Sequence, residues 1–162
     1  MNKVTVLVFL FYASVLQCQE CKYKKNEVDD FTKSKILETN FEWLAEQAGY
    51  VLKKVDDSRT LQLRIESLKM ISIQEGNKVM FLTEREEPIT VHFPKFEISK
   101  RSSGPVTTYY IIENINITEE VYQRFKNETI SKIRVYTNDG YLDKNIKDKR
   151  ANKFRELIKC IE

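Results

Sequence analysis

The sequence predicts an α+β fold, in which a mostly antiparallel sheet, curved or sandwich-like, carries two C-terminal helices. Three observations lead to this prediction. Apolar and polar residues alternate over several short segments in the middle of the chain, which is typical of half-buried strands. Turn-forming residues separate these segments, and the end of the chain has an apolar stripe at helical spacing. Because strands come first and helices last, at least seven short strands and two helices fit one α+β domain.

The first elements differ in how clearly the pattern defines them. We favour a strand over Lys33–Thr39, and a helix around Glu42–Ala48 is an open alternative for the segment that follows. Thr60–Glu66 alternates strictly, with three aliphatic residues on one side, so it is predicted to be a half-buried strand. Lys69–Gln74 shows the same period and is predicted to be the next strand.

The middle of the chain predicts a hairpin and an edge. Gly76 and Asn77 separate two apolar runs, which predicts a tight turn between paired strands. Lys78–Thr83 is apolar on both faces and is therefore predicted to lie centrally in a sheet. Pro94 cannot donate a backbone hydrogen bond, so it marks an edge or a corner. The residues expected to share the inner face around it are Ile89, Val91, Phe93, Phe96 and Ile98.

A loop, a strand, a helix and another strand follow in that order. Arg101–Val106 is the most loop-like stretch, and Thr107–Ile112 is rich in strand-forming residues. A helix is predicted over Thr118–Lys126, because the Thr118 hydroxyl can cap it and two glutamates complement its dipole. Ile130–Thr137 alternates as a strand. The length of the crossover permits a parallel β-α-β pair between the two strands.

The end of the chain predicts a turn and a long amphipathic helix. Asn138-Asp139-Gly140 is a strong turn signal, and the helix is expected to start between Asn145 and Lys149. Lysine and arginine cover most of its polar side, and this basic face could touch an anionic surface or lie in solvent. The residues of the apolar stripe are Ala151, Phe154, Leu157, Ile158 and Ile161.

The N-terminus has the organisation of a secretory signal peptide. Lys3 gives a short positive start, Val4–Leu16 is almost wholly apolar, and the chain then turns polar. We predict a signal peptide over residues 1–18 with cleavage between Cys18 and Gln19, and cleavage after Ser14 is the alternative. Residues 19–162 would then form a single domain, exported to the periplasm or the cell exterior, with no transmembrane span.

Cysteine usage fits an oxidising compartment. Cys21 and Cys160 lie at opposite ends of the mature chain and are predicted to form a disulfide. Two unpaired thiols are the alternative. Attachment of a lipid to Cys18 or Cys21 is disfavoured, because neither follows a small residue.

The composition bounds the class of partner. The formal net charge of +3 is too small to argue for nucleic acid, and an exported domain rarely meets any. With 31% charged residues and frequent aromatic and β-branched residues, the chain is expected to be folded and soluble.

The sequence offers a poor case for catalysis. His92 is the only histidine, and nothing suggests a partner that would orient it for nucleophilic catalysis. One histidine and two distant cysteines predict no metal site, and four glycines form no phosphate-binding loop, so no cofactor is expected. Neighbouring carboxylates diverge on strands and helices, which leaves a carboxylate pair from separate loops as the remaining hydrolase hypothesis.

Three surface features could carry binding or modification. Asn116 and Asn127 stand in N-glycosylation acceptor patterns, although Thr118 of the first pattern has the capping role described above. Tyr109 and Tyr110 stand beside the Ser-Ser-Gly-Pro loop. They could form a sugar-stacking or partner-binding edge, or be divided between core and rim.

The two ends of the chain resemble a group of small exported proteins of unknown function from Bacteroidetes-type bacteria. Tyr23–Thr32 contains the Asn-Glu-Val/Ile-Asp-x-Phe-Thr opening of that group, which often has glycine where this chain has Lys33. The tail is similar in its Ile-Arg-Val strand, Asp-Gly-Tyr turn, Ala-x-x-Phe helix and closing cysteine. The resemblance implies export and a compact domain, and it implies no activity.

We therefore expect a non-enzymatic exported domain that binds a partner protein or a surface polymer such as polysaccharide. The alternative is a carrier of a small apolar ligand, with a cavity in the curved sheet. The residues expected to line that cavity are Met80, Leu82, Tyr110 and Ile112.

Overall fold

The computed structural model describes residues 21–104 and 106–162. The predicted signal peptide lies outside this part of the chain, as does Pro105. Among the described residues, thirteen strands and two helices follow one another along the chain. The strands are β1 (Tyr23–Val28), β2 (Lys35–Thr39), β3 (Glu42–Ala45), β4 (Ala48–Val55), β5 (Ser58–Ser67), β6 (Ser72–Ile73), β7 (Lys78–Thr83), β8 (Pro88–His92), β9 (Glu97–Ile98), β10 (Lys100–Arg101), β11 (Tyr109–Ile117), β12 (Ile130–Thr137) and β13 (Gly140–Asn145). The helices are α1 (Glu119–Asn127) and α2 (Asp148–Lys159).

The strands form three sheets in which every pair is antiparallel. The large sheet has seven strands in the order β1-β2-β4-β5-β11-β10, and β3 also pairs with β4. The small sheet has the order β13-β12-β7-β8, and β6 pairs with β9 as a two-stranded ribbon. The antiparallel α+β prediction with two helices is confirmed.

One hydrophobic core joins the inner faces of the large and small sheets to both helices. The strictly alternating segment is β5, where Leu61, Leu63 and Ile65 are buried as predicted. All five residues of the predicted helical stripe are buried too, because α2 lies against β3, β12 and α1. The sequence periodicity therefore identified these eight residues of the core correctly.

A chain of four aromatic rings crosses this core. Phe125 of α1 makes edge-to-face contacts with Phe81 of the small sheet and Phe154 of α2, at centroid distances of 5.0 Å and 5.1 Å. Phe154 makes a similar contact with Tyr50 of the large sheet at 4.9 Å. Such contacts add to the stabilisation that burial gives. The rings connect both sheets through both helices.

The start of α1 follows the capping signal in the sequence. The Thr118 hydroxyl accepts a hydrogen bond from the Val121 amide, which confirms the predicted N-cap of α1. The predicted turn after Ile130–Thr137 is also confirmed, since β12 and β13 form a hairpin around Asn138 and Asp139. In that hairpin Gly140 has a φ of 129°.

The predicted disulfide is confirmed. Cys21 and Cys160 are bonded at an S–S distance of 2.04 Å and stand 139 residues apart in the sequence. The Tyr23 hydroxyl donates a hydrogen bond of 2.7 Å to the Cys160 carbonyl oxygen. The start of β1 is thus attached to the end of α2.

The segment between β1 and β4 consists of strands and contains no helix. The strand predicted over Lys33–Thr39 is β2, whereas the alternative helix around Glu42–Ala48 is wrong because β3 and the start of β4 form a hairpin there. Lys33 has a φ of 62°, in the left-handed region that favours glycine.

Two predicted strand pairings are wrong. The turn at Gly76 does not join a hairpin, because β6 pairs with β9 while β7 pairs with β8 and β12. The strands on either side of α1 do not form a parallel pair either, since β11 belongs to the large sheet and β12 to the small one. In both cases a distant segment occupies the edge that a neighbour in sequence was expected to fill.

Two elements differ from their predicted extent. The strand predicted over Lys69–Gln74 is reduced to Ser72 and Ile73, and β11 extends beyond Ile112 as far as Ile117. Phe96 and Ile98 do not continue the buried pattern, because their side chains are 55% and 49% exposed. Both side chains lie on the outer side of the segment that forms the β6–β9 pair.

Candidate functional site

The outer face of the large sheet carries an exposed aromatic surface that α2 and the small sheet do not cover. We call it the aromatic face and define it by Phe41, Trp43, Arg64, Tyr110 and Ile112. Strand register places Trp43, Gly49, Arg64 and Ile112 in one row across β3, β4, β5 and β11. Three strand spacings of about 4.8 Å make this row about 14 Å long.

Gly49 gives the aromatic face its shape. A Cβ atom at this position would lie 2.2 Å from Cζ of Phe41, which is far inside van der Waals contact. The Phe41 ring therefore lies directly on the backbone of β4, where any larger residue would displace it. This ring contacts Trp43 edge-to-face at a centroid distance of 5.1 Å.

Both rings remain accessible to a partner. Phe41 is 42% exposed and Trp43 is 41% exposed, although each packs against the other. Exposed aromatic groups held by a rigid sheet lose little conformational entropy on binding. Trp43 is the only tryptophan in the chain, so its fluorescence reports on this surface alone.

The far side of the aromatic face combines a ring, a guanidinium group and amides. The Arg64 guanidinium lies 4.6 Å from the centroid of the Tyr110 ring and donates to Glu66 at 2.8 Å. In the next row the Gln62 side-chain amide donates to Oδ1 of the Asn114 side chain at 3.0 Å. The amide pair offers further donors and acceptors at an exposed position.

The charges bordering this face are paired with one another. Glu38 accepts a hydrogen bond of 2.7 Å from Lys24, and its other oxygen lies 3.5 Å from the Lys53 ammonium nitrogen. Burial by itself would raise the pKa of Glu38, but the hydrogen bond from Lys24 and the positive charges of both lysines outweigh it. The pKa of this carboxyl group therefore lies below its ordinary value.

The lowered pKa of Glu38 predicts a contribution to acid stability. The pairing stabilises the fold above the unfolded-state pKa of about 4.3, and this contribution is lost as the pH falls through the lower folded-state pKa. Glu38→Gln is expected to reduce the difference between the unfolding free energies at about pH 6 and about pH 3, measured with urea. Glu27→Gln, at an exposed position on β1, is the matched control. An unchanged pH dependence in Glu38→Gln would contradict the prediction.

A groove lies on the outer face of the small sheet. It has a volume of about 290 Å³. It is lined by Met80, Leu82, Glu86, Pro88, Lys132, Arg134 and Tyr136. Asp143 accepts two hydrogen bonds of 2.6 Å from Arg134, which raise the pKa of the guanidinium and lower that of the carboxyl group. Arg134 therefore forms an ion pair with Asp143.

The four residues predicted to line a ligand cavity are not brought together. Met80 and Leu82 line the groove of the small sheet, whereas Tyr110 and Ile112 lie on the large sheet. The predicted edge at Tyr109 and Tyr110 is divided: Tyr110 joins the aromatic face and Tyr109 points to the opposite side of β11. Sequence reasoning missed Phe41 and Trp43 as surface residues, although strand alternation in Glu42–Ala45 could have indicated them.

The remaining sequence motifs lie apart from both surfaces or on their borders. His92 is exposed on β8, an edge strand, opposite Lys78 in register. Asn116 is exposed at the end of β11 and Asn127 is exposed at the end of α1. The Thr129 hydroxyl of the second glycosylation pattern accepts a hydrogen bond from Arg155.

Within residues 21–104 and 106–162, no three or more histidine, cysteine or acidic side chains are grouped so as to hold a metal ion. No helix in the described part of the chain is long and apolar enough to cross a membrane. No protein-family model, no curated protein and no solved structure matches the chain.

Proposed function

We propose that this protein is an exported, non-enzymatic domain that binds a neutral polysaccharide through its aromatic face. The observation that carries the proposal is the exposed pair of Phe41 and Trp43, held on the backbone of Gly49. The outer faces of aromatic rings carry partial negative charge, and the C–H groups of a sugar ring pack favourably on them. The predicted signal peptide and the Cys21–Cys160 disulfide support an extracytoplasmic location.

Shape favours an extended ligand over a small enclosed one. The aromatic face is the open outer side of a sheet, and its rings and amides are spread over several strands. A polymer lying across the strands would contact Trp43 at one end of the row and Ile112 or Tyr110 at the other. The Gln62 and Asn114 amides lie beside this path and could exchange hydrogen bonds with sugar hydroxyl groups.

Charge favours a neutral ligand. On the face itself Arg64 is paired with Glu66, whereas on its border Lys24 and Lys53 share the single carboxylate of Glu38 and Lys100 lies opposite Tyr110. The face therefore has no net charge of its own, and a polyanion, whose affinity depends on neutralising many charges, would find only a few cations at the border. Neutral sugar chains require only the ring contacts and hydrogen bonds that this surface offers.

The test is retention of the protein by neutral polysaccharides. The protein is produced with export, and its mass must show that the leader is absent. Binding to cellulose, xylan, mannan and starch is measured by depletion, and soluble oligosaccharides are titrated against Trp43 fluorescence. We expect at least one polymer to retain the protein and the matching oligosaccharide to change the fluorescence.

Substitutions locate the binding surface. Trp43→Ala is expected to weaken binding at least about tenfold, because tryptophan contacts at binding sites commonly contribute more than about 1.4 kcal/mol. Gly49→Ala is expected to weaken it as well, by displacing the Phe41 ring. Phe31→Ala is the control, since this ring is 96% exposed on the β1–β2 turn, and it should bind like the unmodified protein.

Three outcomes would overturn the proposal. The first is that none of the polysaccharides retains the protein. The second is that Trp43→Ala and Phe31→Ala bind equally well. Hydrolysis of any of these glycans by the purified protein would contradict the non-enzymatic assignment. Circular dichroism of each variant ensures that a loss of binding is not a loss of fold.

A further inference from the structure

A group of four exposed, large apolar side chains borders the Tyr110 end of the aromatic face, where Lys100 lies opposite Tyr110. Leu68 and Met70 follow β5. Phe96 immediately precedes β9, and Ile98 is its last residue. They are 66%, 62%, 55% and 49% exposed, respectively. We call this group the apolar ribbon. Soluble proteins seldom expose several such residues together unless the surface binds something.

Backbone pairing brings the two halves of the ribbon together. Ser72 lies opposite Ile98 in the antiparallel β6–β9 pair, and the Ser99 amide donates a hydrogen bond of 2.9 Å to the Ile71 carbonyl oxygen. Ile71, Ile73 and Ser99 are buried on the inner side. Alternation therefore directs Met70 and Ile98 to the outer side, where Lys100 also projects.

One end of the ribbon is basic. Lys69, Lys100 and Arg101 are exposed beside Leu68 and Met70, and Glu97 is the only carboxylate paired to any of them within the described residues. Lys95 at the other end is compensated by the buried carboxylate of Glu113, at 3.3 Å. The basic end thus keeps an excess of positive charge.

We propose that the apolar ribbon docks onto an anionic lipid bilayer. Exposed apolar side chains can enter the headgroup region while the flanking lysine and arginine side chains contact lipid phosphates. The Leu68-Lys69-Met70 loop presents apolar, basic and apolar side chains in succession, all of them exposed. This combination of apolar exposure and positive charge matches an anionic membrane surface. A neutral surface offers no partner for the charge.

This inference does not depend on polysaccharide binding, because it uses different residues. The surfaces adjoin at Tyr110, which lies opposite Lys100, and a domain attached to the membrane at the ribbon would keep Phe41 and Trp43, at the other end of the aromatic face, available to a second ligand. Trp43→Ala is accordingly expected to leave vesicle binding unchanged. Failure of one proposal would leave the other standing.

Vesicle co-sedimentation tests the proposal. Leaderless protein is mixed with vesicles of phosphatidylcholine alone, or with about one third phosphatidylglycerol. We expect at least about tenfold tighter binding to the anionic vesicles, and weaker binding as salt is raised. Leu68→Ser combined with Met70→Ser should reduce binding at least about tenfold. Lys69→Glu combined with Lys100→Glu should abolish the preference for anionic lipid.

A matched control removes two exposed apolar side chains elsewhere. Val28→Ser combined with Phe31→Ser, on β1 and its turn, should bind vesicles like the unmodified protein. The proposal is overturned if neutral and anionic vesicles bind equally or not at all, or if both apolar double variants behave alike. It is also overturned if sedimentation without vesicles shows a dimer that Leu68→Ser with Met70→Ser dissociates, because a second copy then covers the ribbon.

Discussion

Replacing both Cys21 and Cys160 with serine is expected to lower the free energy of unfolding by up to about 5 kcal/mol. The bond closes a loop of 139 residues, and the chain-entropy model assigns about this value to the restriction of so long a loop in the unfolded chain. Residual structure in the unfolded state reduces the figure, and removal of a native disulfide commonly costs about 2–5 kcal/mol.

The effect should also have a local signature. Most side chains of β1 are exposed, and this edge strand is held by pairing with β2 and by its attachment to Cys160. Urea unfolding of the double variant gives the loss of stability, and hydrogen exchange should show β1 opening first. The unmodified protein under reducing conditions should behave like the variant. Equal stability of variant and oxidised protein would contradict the prediction.

Phe125→Ala is expected to destabilise the fold by about 3–5 kcal/mol, the usual range for a fully buried phenylalanine. The ring is completely buried and contacts Phe81 on one side and Phe154 on the other. Its removal leaves a cavity at the point where α1, α2 and the small sheet meet. The two neighbouring rings can fill it only by breaking their own packing.

Thermal or urea unfolding measures this change. Phe31→Ala, at the nearly fully exposed position already used as a control, should alter stability by less than about 0.5 kcal/mol. Phe125→Leu keeps most of the apolar volume and should lie between the two. A similar stability for Phe125→Ala and Phe31→Ala would show that the aromatic chain does not hold the core together.

The two proposed surfaces share a physical basis. In each, a short antiparallel element exposes large side chains on one face while its other face closes the core: β3 and its preceding residue for the aromatic face, and β6 with β9 for the ribbon. The rigid backbone holds the exposed groups in place before any ligand arrives, which lowers the entropic cost of binding. They differ in charge, since the aromatic face is compensated and the ribbon has a basic end.

Features set by local chemistry were predictable from the sequence. These features are the strict alternation of β5 and β12, the apolar stripe of α2 and the Thr118 cap. Each depends on residues that are close together in the sequence. The Cys21–Cys160 bond was predictable too, because two cysteines remain after the predicted leader and have only each other as partners. The exposure of Phe31 on the β1–β2 turn had no such local signal.

Strand partners were decided by the tertiary structure. The sequence around Gly76 is compatible with a local hairpin, but β6 found its partner in β9 and β7 in β8 and β12. A period of two fixes which side chains share a face and leaves open which strand lies beside them, because many backbone edges offer equivalent hydrogen bonds.

The candidate sites belong to this second kind of feature. Phe41 and Gly49 meet only because β3 folds back on β4, and Met70 and Ile98 share a face only because distant segments pair. The sequence by itself therefore determined the strands β5 and β12, the buried stripe of α2, the Thr118 cap and the disulfide. The tertiary structure decided which apolar residues stay outside, since that depends on which faces the sheets and helices cover and which they leave open to a ligand.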